Sequence, residues 1–184
     1  MRSSLFLLLI VLVAIGLVLV LIYNSLVAKR NMVRNAFSSI DVNLRRRHDL
    51  IPNLVETVKG FAAHEQETLT RLIEARQEAS RSDLSESQRL RAEEEVGPRV
   101  RQVMALAESY PDLQSSEHFL NLQRNLTEVE AQISAARRAY NSAVYQINNS
   151  VESFPSNLIA NAFGFQRHDF FEAGDSEREP VDAS

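Results

Sequence analysis

The chain has no cysteine, no tryptophan, and only five glycines and five prolines among 184 residues. Without cysteine there is no disulfide framework and no thiolate metal ligand. The compartment stays open, because reducing and oxidising locations both tolerate that absence. Scarce glycine and proline leave few turn or breaker positions, while Ala, Leu, Glu, Arg and Gln, all helix formers, are plentiful. His48, His64, His118 and His168 are scattered, so no metal and no cofactor is expected. His64-Glu65-Gln66-Glu67-Thr68 begins like a zinc-peptidase helix, but Thr68 stands where the second histidine is needed. There is no glycine-rich phosphate loop and no nucleophile elbow. No catalytic constellation is visible, and no enzymatic activity is expected.

What is present is a run from Leu5 to Ile22 that is apolar throughout except for Gly16. As a helix it spans about 27 Å, close to the hydrocarbon thickness of a bilayer. A soluble core has no use for a helix that is apolar on every face. Arg2 is the only early charge, and Tyr23-Asn24-Ser25-Leu26-Val27 offers no small-x-small cleavage site, so the run reads as a retained anchor rather than a signal peptide. Lys29, Arg30 and Arg34 follow it, then Arg45, Arg46 and Arg47. That bias predicts a single-pass protein of the inner cell membrane, with a short N-terminus outside and a cytoplasmic body.

Charge divides the chain. Residues 1–51 carry seven basic and two acidic side chains, so the rest of the −4 total amounts to −9. An acidic body without a basic stripe argues against nucleic acid as a partner. The basic segment next to the anchor makes Arg45, Arg46 and Arg47 candidates for anionic headgroups, or simply for topology and solvation.

Beyond the anchor the periodicity is helical. Tyr23, Leu26, Val33, Phe37, Ile40 and Leu44 fall at three- and four-residue steps, with Arg30 taking the slot between Leu26 and Val33 and no breaker before them, predicting one helix from about Ser4 to His48. Asp49-Leu50-Ile51-Pro52 is expected to end it. A second helix is expected over Leu50 to Arg81, bent slightly at Gly60, with Ser85 and Gln88 as a capping box for a third that Gly97-Pro98 should kink or split. Glu93-Glu94-Glu95 reads as a solvated face. After Tyr110-Pro111-Asp112, the fourth helix carries Phe119, Leu122, Leu126, Val129, Ile133, Ala136, Tyr140, Val144, Ile147 and Val151, a coiled-coil-like series with one stutter, until Pro155 stops it. Four amphipathic helices are buried most simply as an antiparallel bundle. The fold class is therefore all-α: a transmembrane anchor at 1–22, a bundle at 23–171, and an acidic, disordered tail at 172–184.

Several stretches resemble one family. They include Tyr23-Asn24-Ser25-Leu26-Val27, Arg46-Arg47-His48-Asp49-Leu50-Ile51-Pro52-Asn53-Leu54-Val55 and Val58-Lys59-Gly60-Phe61. Tyr110-Pro111-Asp112-Leu113, Ala136-Arg137-Arg138-Ala139-Tyr140-Asn141, Phe154-Pro155-Ser156-Asn157-Leu158-Ile159-Ala160 and Ala162-Phe163-Gly164-Phe165 continue the match. Together they are similar to the LemA family over nearly the whole chain. The resemblance implies an N-terminal membrane helix, a small external terminus, an all-helical cytoplasmic domain and no established biochemical activity. The chain departs from the family at Gly97-Pro98 and in a C-terminus that lacks a closing aromatic.

Polar residues on or near the apolar stripes carry the remaining information. Arg30, Arg34, Asp41, Arg137 and Asn141 are candidate buried polar groups, and Asp41 is expected to pair with an arginine inside the bundle or to sit at its edge. Phe163, Phe165, Phe170 and Phe171 either fold back on the bundle or form an exposed, partner-binding or membrane-dipping motif. The expected function is a membrane-anchored helical scaffold or adaptor for a membrane or cytoplasmic protein. The alternative is a membrane-surface module that senses or organises anionic lipid.

Overall fold

The computed structural model describes residues 2–62, 64–84 and 86–171, with side chains described for all of these except 2, 86 and 87. The expected tail at 172–184 and the Ser85 cap lie outside the described residues. Among the described residues six helices follow in order: α1 (Arg2–Lys59), α2 (Gln66–Ala79), α3 (Glu86–Ala107), α4 (Pro111–Gln114), α5 (Glu117–Glu152) and α6 (Ser156–Phe163). Among the described residues there is no strand, so the fold is all-α as the composition predicts.

The first correction concerns Pro52, which lies inside α1 instead of ending it. A proline within a helix leaves the carbonyl four residues back without its donor. Here that carbonyl belongs to His48, and Arg76 Nε donates to it at 2.9 Å. A side chain from α2 thus supplies the bond that Pro52 cannot. The helix ends at Gly60 instead, where the amide of Ala62 bonds to the carbonyl of Val58 at 2.9 Å. Much of the expected second helix is therefore the end of α1, and α2 is short. Gly97-Pro98 likewise does not split α3, which is one element over 22 residues. The Tyr110-Pro111-Asp112 turn forms the short α4, with Pro111 in the first helical turn where its missing donor costs nothing. The long periodic segment forms α5 as read, with Phe119, Leu122, Leu126, Val129, Ile133, Tyr140, Val144 and Ile147 buried.

The described residues group into two compact units. In the first, 2–38 of α1 accompany 136–171. Along α1 the apolar side chains from Leu5 to Leu21 are exposed, and the helix is long and apolar enough to cross a membrane. Beyond them Leu26 and Val33 are buried, as are Tyr140, Val144 and Ile147 of α5. Lys29 Nζ donates to Ser150 Oγ, and Phe37 meets Tyr140 edge-on with ring centroids 6.1 Å apart, so the two helices run antiparallel in this unit. After α5, a cis Phe154–Pro155 bond and the Ser156 hydroxyl, which donates to the carbonyl of Ser150 at 2.6 Å, lead into α6. Gly164 caps α6 at φ 70°, a left-handed conformation that side chains with a Cβ rarely adopt.

The second unit covers 39–135. Ile51, Leu54 and Val58 of α1, Leu69 and Leu72 of α2, Val96, Val100 and Val103 of α3, Leu113 of α4, and Phe119 and Leu126 of α5 make one continuous buried cluster. The turn after α2 is tied by Arg81, which bridges Glu78 and Asp83. The hydrogen bond from Arg81 holds the Asp83 carboxyl below its ordinary range.

Candidate functional site

The first unit reads its own backbone. Asn141 Nδ2 donates to the carbonyl of Phe171 at 2.9 Å, and the amide of Phe171 donates to Asn141 Oδ1 at 2.8 Å. Asn148 does the same to His168, at 2.9 Å in both directions. Each side-chain amide imitates one rung of a sheet. The spacing is matched on both sides: seven helical residues rise about 10.5 Å, and three residues of extended chain reach about 10 Å. The Tyr140 hydroxyl adds a bond to the carbonyl of Asp169 at 3.2 Å. The aromatic side chains are held by cations. The Arg137 guanidinium lies 4.2 Å from the Phe171 ring centre, and that of Arg30 lies 5.0 Å from the Phe165 ring. Such stacks stabilise by about 0.5–2 kcal/mol, more where water is excluded.

The second unit holds a buried ion network. The Arg47 side chain is 1% exposed and that of Glu93 is 2% exposed. Arg47 Nη2 bonds to the Glu93 carboxylate and, at 3.0 Å, to the carbonyl of Glu93, while Nη1 reaches Glu130 Oε1 at 3.1 Å. His48 Nε2 lies 3.0 Å from Glu93 Oε1, and its Nδ1 lies 3.0 Å from Ser80 Oγ. Gly97 makes the room: a Cβ there would stand 3.3 Å from Arg47 Nη1 and 3.5 Å from Glu130 Oε2.

Ser80, His48 and Glu93 have the outline of a nucleophilic relay, but the surroundings give it a different task. The serine hydroxyl donates at 2.7 Å to the carbonyl of Arg76 within its own helix. Ser80 is the C-terminal cap of α2, where helix carbonyls gather and a developing oxyanion would be opposed. Glu93 is already neutralised by Arg47. The relay fixes the His48 ring against α3.

Several sequence-predicted residues change role. Arg47 is not lipid-facing, because its guanidinium is enclosed by two carboxylates and a carbonyl. Arg45 and Arg46 are exposed, with Arg45 paired to Asp41 at 2.8 Å and Arg46 beside Gln132 and Glu128. Arg34 is exposed rather than buried, since it falls off the stripe that Val33 and Phe37 occupy. Asp41 is half-buried and does pair with arginines, Arg45 and Arg89. Glu93 is not part of a solvated face. Phe165 and Phe171 are buried and unavailable to a partner, whereas Phe163 and Phe170 are exposed. The span boundaries Leu5 and Ile22 fall within α1.

The roles of Glu93, Glu130, Gly97, His48 and Asn148 have no counterpart among the sequence expectations, which put Glu93 on a solvated face and a kink at Gly97. A signal existed for some of them. Arg47 occupies a core slot in the series Ile40, Leu44, Arg47, Ile51, and Glu93 precedes Val96 and Val100 at helical steps. Asn141 and Asn148 share a face with Arg137 and Val144 at steps of four and three.

These features define an all-helical protein with one helix able to cross a membrane and a bundle stabilised by internal polar clamps. The chain belongs to the LemA family, whose model matches residues 36–184. Protein LemA of Metamycoplasma hominis is 26% identical over 161 residues, covering 88% of this chain and 74% of the relative. Magnetosome protein MamQ 2 of Paramagnetospirillum magneticum is 26% identical over 182 residues, covering 84% and 67% respectively. Magnetosome protein MamQ of Magnetospirillum gryphiswaldense is 24% identical over 193 residues, covering 90% and 71%. Family, relatives and the apolar run of α1 agree on a membrane-associated protein.

Proposed function

We propose that this protein is a membrane-anchored helical scaffold or adaptor. Residues 5–22 of α1 cross the inner cell membrane, the short N-terminus lies outside, and the body stands on the cytoplasmic side. Lys29, Arg30 and Arg34 against Arg2 alone support that orientation. The partner is a membrane or cytoplasmic protein; the acidic charge of the body disfavours nucleic acid.

The observation that carries the adaptor reading is the paired asparagine clamp of α5. Asn141 and Asn148 bind main-chain groups, so any extended segment satisfies them, and Arg137 accepts an aromatic beside the rung. The chain's own residues 168–171 occupy that clamp in cis. A partner segment of the same chemistry, extended and carrying an aromatic at the Arg137 position, competes for it. The lipid-sensing alternative is weakened, since Arg47 is committed to Glu93 and Glu130 and Arg45 to Asp41.

Proximity labelling in cells with a C-terminal tag tests the reading. Expected is a cytoplasmic neighbourhood with a small set of enriched proteins that is lost in the N141A/N148A double variant at equal membrane abundance. Neighbours identical to those of an unrelated single-pass anchor, or unchanged in the double variant, would refute it.

A further inference from the structure

From Ser153 to Gln166 the chain has no charged residue and no histidine. The two charges that bracket this stretch, Glu152 and Arg167, pair with each other at 2.9 Å. Within it Ala160 and Phe165 are buried, but three large apolar side chains point outward: Phe154 is 80% exposed, Leu158 58% and Phe163 62%. In water this is an unfavourable surface, because three large apolar groups are exposed close together on one uncharged element. Its position explains it. Phe163 lies against Tyr23 with ring centroids 4.9 Å apart, and Phe165 reaches the same ring at 5.9 Å. Tyr23 follows directly on Ile22, where the apolar run of α1 ends. So α6 sits at the level where the lipid-exposed part of the same unit gives way to its packed part, and its exposed face continues the apolar surface of α1.

We infer that α6 is an interfacial foot: Phe154, Leu158 and Phe163 are seated in the headgroup and upper acyl region of the bilayer that α1 crosses. The inference rests on the reading that residues 5–22 span the membrane. The occupant is lipid rather than protein because the face is contiguous with a lipid-facing helix. The recognition is apolar burial rather than charge, since the segment brings no cation to an anionic headgroup. Tyrosine at the end of a span occupies the interfacial aromatic zone, and an amphipathic helix lying in that plane, with Phe and Leu on its apolar face, buries that face by about 5–10 Å. One span alone leaves a helix free to rotate and tilt; a second apolar contact on one side of it fixes which face of the body meets the membrane.

The absence of tryptophan makes the test direct, because a single introduced indole reports alone. Full-length L158W, F154W, L12W and Y145W are each reconstituted into phosphatidylcholine vesicles containing lipids brominated at different acyl depths. Expected is strong, deep quenching for L12W and none for Y145W. L158W and F154W should show a blue-shifted emission with shallow quenching, unchanged by added salt and by dilution into excess lipid. L12W quenched with L158W and F154W behaving like Y145W would overturn the foot while leaving the span intact. L12W itself unquenched would sink the spanning reading on which both depend. A blue shift that disappears on dilution would assign the face to a second copy of the chain and likewise overturn the proposal.

Discussion

The two units bury polar groups by opposite means. In the second, Arg47 answers Glu93, charge against charge and out of reach of water, and also reaches the half-buried Glu130. In the first, neutral asparagines answer backbone amides and carbonyls, and arginines lie over aromatic faces. The difference has an energetic meaning. A buried ion pair is costly to create and costlier to halve, because removing one partner strands the other. A side-chain amide on a backbone rung is stabilised by a modest amount per bond and can be exchanged, since water or another chain offers the same groups. The asparagine clamp suits a site whose occupant changes, the buried ion pair a junction that must not move.

Removing Glu93 tests that contrast most severely. E93A leaves the Arg47 guanidinium with a lost carboxylate in a dry site, and the full chain in detergent should lose about 3–5 kcal/mol of stability. Helical circular dichroism during chemical unfolding measures it. Replacing both partners with apolar residues, R47M with E93L, should recover most of the loss. If the double variant is as unstable as E93A, Arg47 owes its place to something other than this pair.

In the first unit, N148A should have a smaller and more local effect. Asn148 is buried, and its loss leaves the amide and carbonyl of His168 without their partners, at about 1–3 kcal/mol. The cost should fall on residues 165–171 and not on the whole fold. Hydrogen exchange should rise at His168 and Phe171 while the amides of α3 stay protected. Equal acceleration in both places would erase the distinction between an exchangeable groove and a fixed junction.

Gly97 sharpens the comparison from the other side. G97A gains up to about 1 kcal/mol in helix propensity. It also pushes a methyl against an Arg47 guanidinium that three hydrogen bonds prevent from yielding, at about 1–3 kcal/mol of overpacking. A net loss near 1 kcal/mol follows, and the sign should reverse when Arg47 is first shortened to methionine. A stabilised G97A single variant would mean that the network has slack.

Much of this was legible in one dimension, and the misses share a cause. Helices read well wherever an apolar side chain recurs at three- and four-residue steps, as from Phe119 to Ile147. The reading failed where a distant side chain repaired a local defect. Pro52 looks like a terminus because its neighbours cannot supply the bond that His48 loses, yet Arg76 can. Glu93 looks solvated inside a run of three glutamates because its answering charge lies on another helix, forty-six positions earlier. Arg47 stands beside Arg45 and Arg46 near the anchor, yet its phase puts it on the Ile40–Leu44–Ile51 stripe. Asn141 is marked by its place on the stripe, but its ligand, the backbone of Phe171, has no signature in residue types.

Asp41 sets the lower end of the scale. Its carboxylate takes bonds from Arg45 at 2.8 Å, one turn along α1, and from Arg89 of α3 at 3.0 Å. The geometry resembles the Arg47 site, with two opposite charges sharing one centre, but the exposure does not: the Asp41 side chain is 23% exposed and that of Arg45 is 75% exposed. Water screens what D41A leaves behind, so the loss should be about 0.2–1 kcal/mol. It should also shrink as salt is raised, whereas the E93A loss should hardly respond, because buried pairs are screened much less. Thermal unfolding of D41A and E93A at low and high ionic strength separates the two. If D41A costs as much as E93A and is equally indifferent to salt, burial is not what makes the Arg47 junction strong, and the contrast between the two units must rest on hydrogen-bond count instead.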